Sequence, residues 1–201
     1  MIITISHTKG GVGKSTLAWH LAHSFANHAD VIDLDFQQTI HYLNLMSGGT
    51  LNVIQPHTSS ELIEILKATP SDKVVIIDVG GFDSDINRTA LAYSDKILIP
   101  ISDSITEVLG FHTFKSILSE IGSDAEAYMV FNNIHPLTRN FDTIKEAISD
   151  TNIVLLDSVI RSRKIYRSTM GDGKSVFHSS ISSFDTSRAE IIGVRDELIR
   201  P

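Results

Sequence analysis

The chain contains no cysteine. That excludes disulfides, iron–sulfur ligation and thiol catalysis. It contains no apolar run of about 18 residues, so no segment is expected to cross a membrane. The opening Met1-Ile2-Ile3-Thr4-Ile5-Ser6 lacks the basic start and small-residue cleavage site of a secretory signal and reads as a strand. The expected location is the cytoplasm. An excess of positive charge is also missing. The formal net charge is −7, so the chain as a whole is no basic nucleic-acid binder. Contact with DNA would need a local basic patch and would weaken with salt. No repeat, low-complexity segment or Pro/Ser-rich linker divides the sequence.

What is present is a globular pattern. With 42% hydrophobic residues in 201, the chain is expected to form one α/β domain over residues 1–201. Short β-rich runs alternate with helical stretches, the signature of a parallel sheet covered by helices. The runs predict strands over Ile2–Ser6, Val31–Asp35, Lys73–Asp78, Lys96–Ile101, Ala127–Asn132 and Ile153–Leu156. Several are almost continuous Val, Ile and Leu, as strands buried on both faces require. Helices are predicted after the first glycines and over Ser60–Ala68, Ser84–Tyr93, Thr106–Ile121, Phe141–Ser149, Lys164–Met170 and Thr186–Ile199. In the first helix Leu17, Leu21 and Phe25, with Ala18 and Ala22, mark one apolar face. The fold class is a doubly wound, mainly parallel α/β sheet.

Between the first strand and first helix stands Lys9-Gly10-Gly11-Val12-Gly13-Lys14-Ser15-Thr16. Its second half fits the phosphate-binding Gly-Lys-Ser/Thr pattern, although Thr8 stands where the usual opening glycine belongs. The glycines let backbone amides turn toward one centre of negative charge, and the helix adds its positive end. In this reading Lys14 reaches the β- and γ-phosphates of ATP, and the Ser15 hydroxyl binds Mg²⁺. Two acidic strand ends, Asp33-Leu34-Asp35 and Asp78 before Val79-Gly80-Gly81, should face the same cleft, since ligands of open parallel sheets sit at carboxyl ends of strands.

The extra Lys9 ahead of two glycines resembles the deviant Walker A ATPases, the ParA/MinD group. The resemblance implies that Lys9 reaches across an ATP-dependent homodimer to the partner copy's phosphates. It implies that Asp35 orients the attacking water and helps hold the metal's water shell. Asp78 is similar to the Walker B acid, acting on Mg²⁺ through water, and Gly81 belongs to the segment meeting the γ-phosphate. Phe36 departs from the group's Asp-x-Asp-Pro-Gln stretch, which Gln37 otherwise matches. Asp33 is read as a structural acceptor. Asn132 has two open readings, an adenine contact implied by the resemblance or a turn former.

The absence of cysteine removes the iron–sulfur and arsenite-pump branches of the group. The last helix carries mixed rather than basic charges, which weakens the MinD type with its lipid-binding helix. The lysine-led loop weakens a dethiobiotin-synthetase-like ligase. The segments 160–166 and 171–177 are similar to small ParF-type partition proteins. That resemblance implies a DNA segregation ATPase, nucleoid-associated, with a centromere-binding adaptor (ParB- or ParG-like) as partner and no membrane. Arg161, Arg163, Lys164 and Arg167 are the candidate contacts to nonspecific DNA, with an ordinary solvated helix face as the alternative. Arg161 has a further reading, in the fold or the nucleotide pocket. The histidines at 7, 20, 23 and 28 are read as surface or helix-face residues outside any metal constellation.

Overall fold

The computed structural model describes residues 1–25, 29–81, 83–149, 151–178 and 180–200. In chain order they form β1 (Ile2–Ile5), α1 (Lys14–Ser24), β2 (Ala29–Leu34), α2 (Thr39–Met46), β3 (Asn52–Ile54) and α3 (Ser59–Ala68). Then come β4 (Val74–Val79), α4 (Asp85–Ala92), β5 (Lys96–Ile101), α5 (Ile105–Ile121) and β6 (Glu126–Ile134). The remainder is α6 (Asp142–Ile148), β7 (Val154–Arg161), α7 (Lys164–Gly171) and α8 (Asp185–Ile199). The strands make one sheet in the order β3-β2-β4-β1-β5-β6-β7, with every pair parallel. This is the doubly wound architecture that the alternation of strands and helices predicts.

Both faces of the sheet are buried, which is why its strands read as unbroken apolar runs. Alternate residues serve opposite faces. Ile76 and Leu98 pack beneath α1, α7 and α8, with Trp19, Tyr166 and Val194. Their neighbours Val75, Ile77, Ile97 and Ile99 face α3, α4, α5 and α6. Pro100 lies inside β5 without disturbing it. The β1 ladder ends where Ser6 N–H donates to Leu98 O, so no bond there needs a proline N–H.

Two elements fall in the stretch between Phe36 and Ser59 where the sequence predicts none. In α2, Ile40 and Leu43 are buried, but Tyr42, Leu45 and Met46 are all more than half exposed. The helix therefore lacks the polar outer face that makes a helical period visible. β3 has three residues, too few for an alternation to register. β7 runs to Arg161, beyond the predicted Leu156. Its outer edge is satisfied from α8, where both carboxylate oxygens of Glu197 accept from Asp157 N and Ser158 N, at 2.7 and 2.9 Å.

The histidine expectation needs correction. His7 and His20 are buried, at 1% and 0% exposure. His23 is half-buried, and His28 lies outside the described residues. For His20 and His23 the reason is that α1 packs on the sheet with one side and on α8 with another, so little of its surface meets water, while His7 is covered by Gly110 and Phe114 of α5. His20 Nδ1 accepts from Val176 N at 3.3 Å. Its Nε2–H therefore donates to Tyr166 O, also at 3.3 Å. Both ring nitrogens are used and the imidazole is neutral. Burial drives His20 down to about 3, against the pull of the Tyr166 carbonyl. Burial likewise drives His23 down to about 4.

Both folded-state values lie below the free value near 6.5, so the unfolded chain takes up protons first as the pH falls. Their contribution to stability is complete above about pH 6.5 and is lost as the pH drops toward 4. Urea denaturation between pH 6 and 4.5 should show His20→Gln losing ~1.4 kcal/mol less per pH unit than the unsubstituted protein. Parallel profiles would mean that His20 does not titrate on unfolding.

Candidate nucleotide site

β1 enters the sheet beside β4 and β5 and delivers the chain to their carboxyl ends, where it loops back into α1. Two glycines make the loop possible. Gly11 and Gly13 have φ of +81° and +89°, a region that side chains rarely adopt. Gly13 is doubly constrained, because a Cβ there would stand 2.5 Å from Asn132 Nδ2. That amide nitrogen donates to Val12 O at 2.8 Å. Asn132 thus braces the loop from β6. The left-handed residue is its neighbour Asn133, φ 58°, at an irregularity in β6. Gly81, after β4, approaches from the other side, with Gly10 N and Thr8 O 3.4 Å from where its Cβ would be.

Beneath the loop lie a lysine and an aspartate, both shut away from water. Lys14 begins α1 and is buried, and its Nζ donates to Lys9 O at 3.2 Å. Burial lowers its pKa, while Asp78 and Asp35 pull it back up. Asp78 pairs in register with Ile5 of β1 and Asp33 of β2 and has no exposed surface. Among the described residues, neither of its carboxylate oxygens has a donor at hydrogen-bond geometry. Burial pushes Asp78 up to about 8, and the Ser15 hydroxyl draws it back toward the ionised form. A buried carboxylate without donors, facing a hydroxyl, is an oxygen set suited to a hard divalent cation. The chain's own residues therefore fit the magnesium expected at Ser15 and Asp78.

Asp33 and Asp35 divide the work at the end of β2. Asp33 is buried and accepts from Asp35 N at 3.2 Å and His41 N at 2.9 Å, tying β2 to α2. Burial raises its pKa and those amide bonds oppose the rise. Asp35 is half-exposed on the cleft, accepting from Gln37 N at 2.9 Å. Phe36, where the resemblance leads one to look for proline, stands 87% exposed at the cleft mouth.

The cleft has a volume of about 930 Å³. Gly10, Gly11, Gly13, Lys14, Ser15 and Thr16 line one side, with Asp35, Gly81 and Asn132. Val12 is buried and Asp78 lies below the floor. Lys9 is half-exposed at the outer turn. The opposite wall is the basic stretch. Arg161, Arg163, Lys164 and Arg167 all line this same cleft. Two of them are engaged within the chain. Arg161 donates to Thr138 O at 2.8 Å and His135 O at 3.3 Å, its guanidinium over the Phe141 ring. Arg163 pairs with Glu190 at 2.6 Å. Lys164 and Arg167 are exposed, three apart on α7, and make no hydrogen bond or ion pair among the described residues.

Glu190 was not singled out in the sequence. Besides Arg163 it accepts from Tyr166 OH at 2.8 Å and Arg161 N at 3.3 Å, so one α8 carboxylate holds the β7–α7 corner that forms the wall. No local pattern marks it, because its three partners lie 24 to 29 residues earlier in the chain.

The chain is 23% identical over 185 residues to "Maintenance of carboxysome distribution protein A" of Halothiobacillus neapolitanus, covering 87% of this chain and 86% of that one. It is 23% identical over 177 residues to "Protein ParA" of Rhizobium radiobacter, covering 82% and 80%. In fold it is similar to a candidate plasmid partition protein of Borrelia burgdorferi B31 bound to AMPPNP. The TM-score is 0.74 at 18% identity, over 98% of this chain and 99% of that one. The family model described as "CobQ/CobB/MinD/ParA nucleotide binding domain" matches residues 3–176, and the chain belongs to that family.

Proposed function

We propose that this protein is a partition ATPase, in which Mg-ATP joins two copies into a dimer that holds nonspecific DNA. A centromere-binding adaptor then stimulates hydrolysis and releases it. The observation that carries the reading is the burial of Lys14 and Asp78, each within electrostatic reach of the other, under a glycine loop, with a basic stretch lining the same cleft. The relatives named for ParA and for carboxysome distribution, and the AMPPNP-bound neighbour, support it.

The triphosphate takes the place of Lys9 O as the acceptor for Lys14 Nζ. Backbone amides of the loop and the N-terminus of α1 meet its oxygens. Lys9, half-exposed at the turn, crosses to the other copy's phosphates and offsets charge on the transferring group. Asp35, at the cleft surface, orients the attacking water. Ser15, with Asp78 and Asp35 acting through water, would hold a magnesium ion, which would supply positive charge against the phosphate oxygens. Turnover is slow until dimer and adaptor complete this arrangement. Asn132 braces the loop through its amide nitrogen and meets the adenine through its remaining oxygen.

For DNA, Lys164 and Arg167 are the available cations, whereas Arg161 and Arg163 serve mainly to hold the wall. Dimerisation doubles the pair, which is how a chain of net charge −7 grips phosphate. The observation that favours DNA over a MinD-like lipid surface is α8. Its apolar Ile191, Val194 and Leu198 are buried against the sheet, which leaves only Ile192 and Ile199 as large apolar residues in reach of water, too few for a bilayer-binding stripe.

Lys14→Ala should abolish ATP turnover, measured as phosphate release. Asp35→Ala should keep the ATP-bound dimer while lowering turnover at least ~100-fold, the usual weight of a lost water-orienting group; normal turnover would remove Asp35 from that role. In DNA binding, Lys164→Glu with Arg167→Glu should flatten the log–log salt dependence by about 3–4, close to 0.9 for each of four phosphate contacts in the dimer. An unchanged slope would take the DNA contact elsewhere on the surface.

A further inference from the structure

Residues 7–9, which lead into the phosphate loop, all bear on one residue of α5. Thr8 Oγ1 donates to Gly110 O at 2.9 Å. A Cβ built on Gly110 would stand 3.0 Å from His7 Cε1, 3.5 Å from Thr8 Oγ1 and 3.6 Å from Lys9 Cβ. Glycine is among the poorest helix formers, and Gly110 sits inside a helix of 17 residues. The close approach of the loop entry gives it a reason to be there.

His7 converts that contact into an orientation. Its ring is buried, nearly parallel to Phe114 at 8° with centroids 6.4 Å apart. Nδ1 accepts the backbone N–H of Lys9 at 2.9 Å. The bond closes a small ring over Thr8 and fixes the backbone from which the lysine side chain departs. A lysine has four rotatable side-chain bonds, so the direction of its Cα–Cβ vector decides what region its ammonium can search. His7, expected at the surface, is instead buried and accepts the Lys9 N–H.

We propose that His7 is a positioning residue for Lys9, aiming the lysine outward through its Nδ1 bond while Gly110 leaves room for the imidazole. This rests on the reading that Lys9 crosses to a second copy's nucleotide. The role needs an acceptor at the Nδ1 position and no proton exchange. An asparagine carboxamide oxygen can occupy nearly the same place, whereas leucine keeps the apolar packing and offers no acceptor.

The test compares the unsubstituted full chain with His7→Leu, His7→Asn, Gly110→Ala and Lys9→Ala. Binding of Mg-AMPPNP is measured by calorimetry, and nucleotide-dependent dimerisation by sedimentation velocity. His7→Leu should bind nucleotide within about threefold of the unsubstituted protein and dimerise about tenfold more weakly, the size of one hydrogen bond. Gly110→Ala should behave alike, because its methyl presses on the same imidazole. His7→Asn should restore dimerisation to within about threefold. Full dimerisation of His7→Leu beside a defective Lys9→Ala overturns the proposal alone, as does a His7→Asn protein as weak as His7→Leu. Full dimerisation of Lys9→Ala overturns the crossing role of Lys9, and the proposal with it. Should His7→Leu fail to fold, Gly110→Ala decides, and full dimerisation there overturns the proposal.

Discussion

A lysine ammonium and an aspartate carboxylate are both withdrawn from water at the carboxyl end of this sheet, and each shifts the titration of the other. Burial is the larger influence on both. Among the described residues, Lys14 has a single carbonyl for its three donors and Asp78 has no donor at hydrogen-bond geometry. Groups buried in this state cost several kcal/mol each. They persist because the surrounding sheet is over-determined, with β1, β2, β4 and β5 packed between two helical layers. The unmet demand is specific in kind. An ammonium seeking oxygens and a carboxylate seeking a cation, side by side under a ring of backbone amides, match a polyphosphate carrying a divalent ion.

The loop over these charges is held from three directions. Asn132 reaches it from β6, Gly81 abuts it from the end of β4, and Gly110 supports its entry from α5. Each contact depends on something small. Gly13 makes room for the Asn132 amide, Gly81 presents only backbone to the loop, and Gly110 makes room for His7. Glycine here serves close approach as much as turning. The loop is therefore braced along its length and reaches water at Lys9 and Gly10.

The opposite wall obeys a different constraint. β7 is an edge strand, and its outward amides require partners. α8 supplies them through Glu197 and Glu190, and Glu190 also fixes Arg163 and Tyr166. The carboxylate that closes the sheet edge thereby sets the position of the cationic cleft wall. Arg161 and Arg163 are consumed in this work, which leaves Lys164 and Arg167 exposed on the cleft lining and, among the described residues, without a hydrogen bond or ion pair.

How much of this was legible from the residues alone follows the range of the forces involved. The strand–glycine–helix entry, the buried parallel strands and the acids at Asp33, Asp35 and Asp78 are local patterns, set by backbone sterics and by side-chain alternation within a few residues. They could be read directly. α2 was hidden because its outer face carries Tyr42, Leu45 and Met46 in place of polar residues, and β3 because three residues hold no period. The roles of Asn132, Glu190, His20 and Gly110 could not be read, since each depends on partners 24 to 156 residues distant. The order of amino acids determined that a phosphate loop would open this chain and what chemistry its charges demand. Only the packing of helices against the sheet decided which histidines are buried, which arginines are free, and what holds the loop in place. Those outcomes depend on close approach between surfaces that covalent order alone does not bring together.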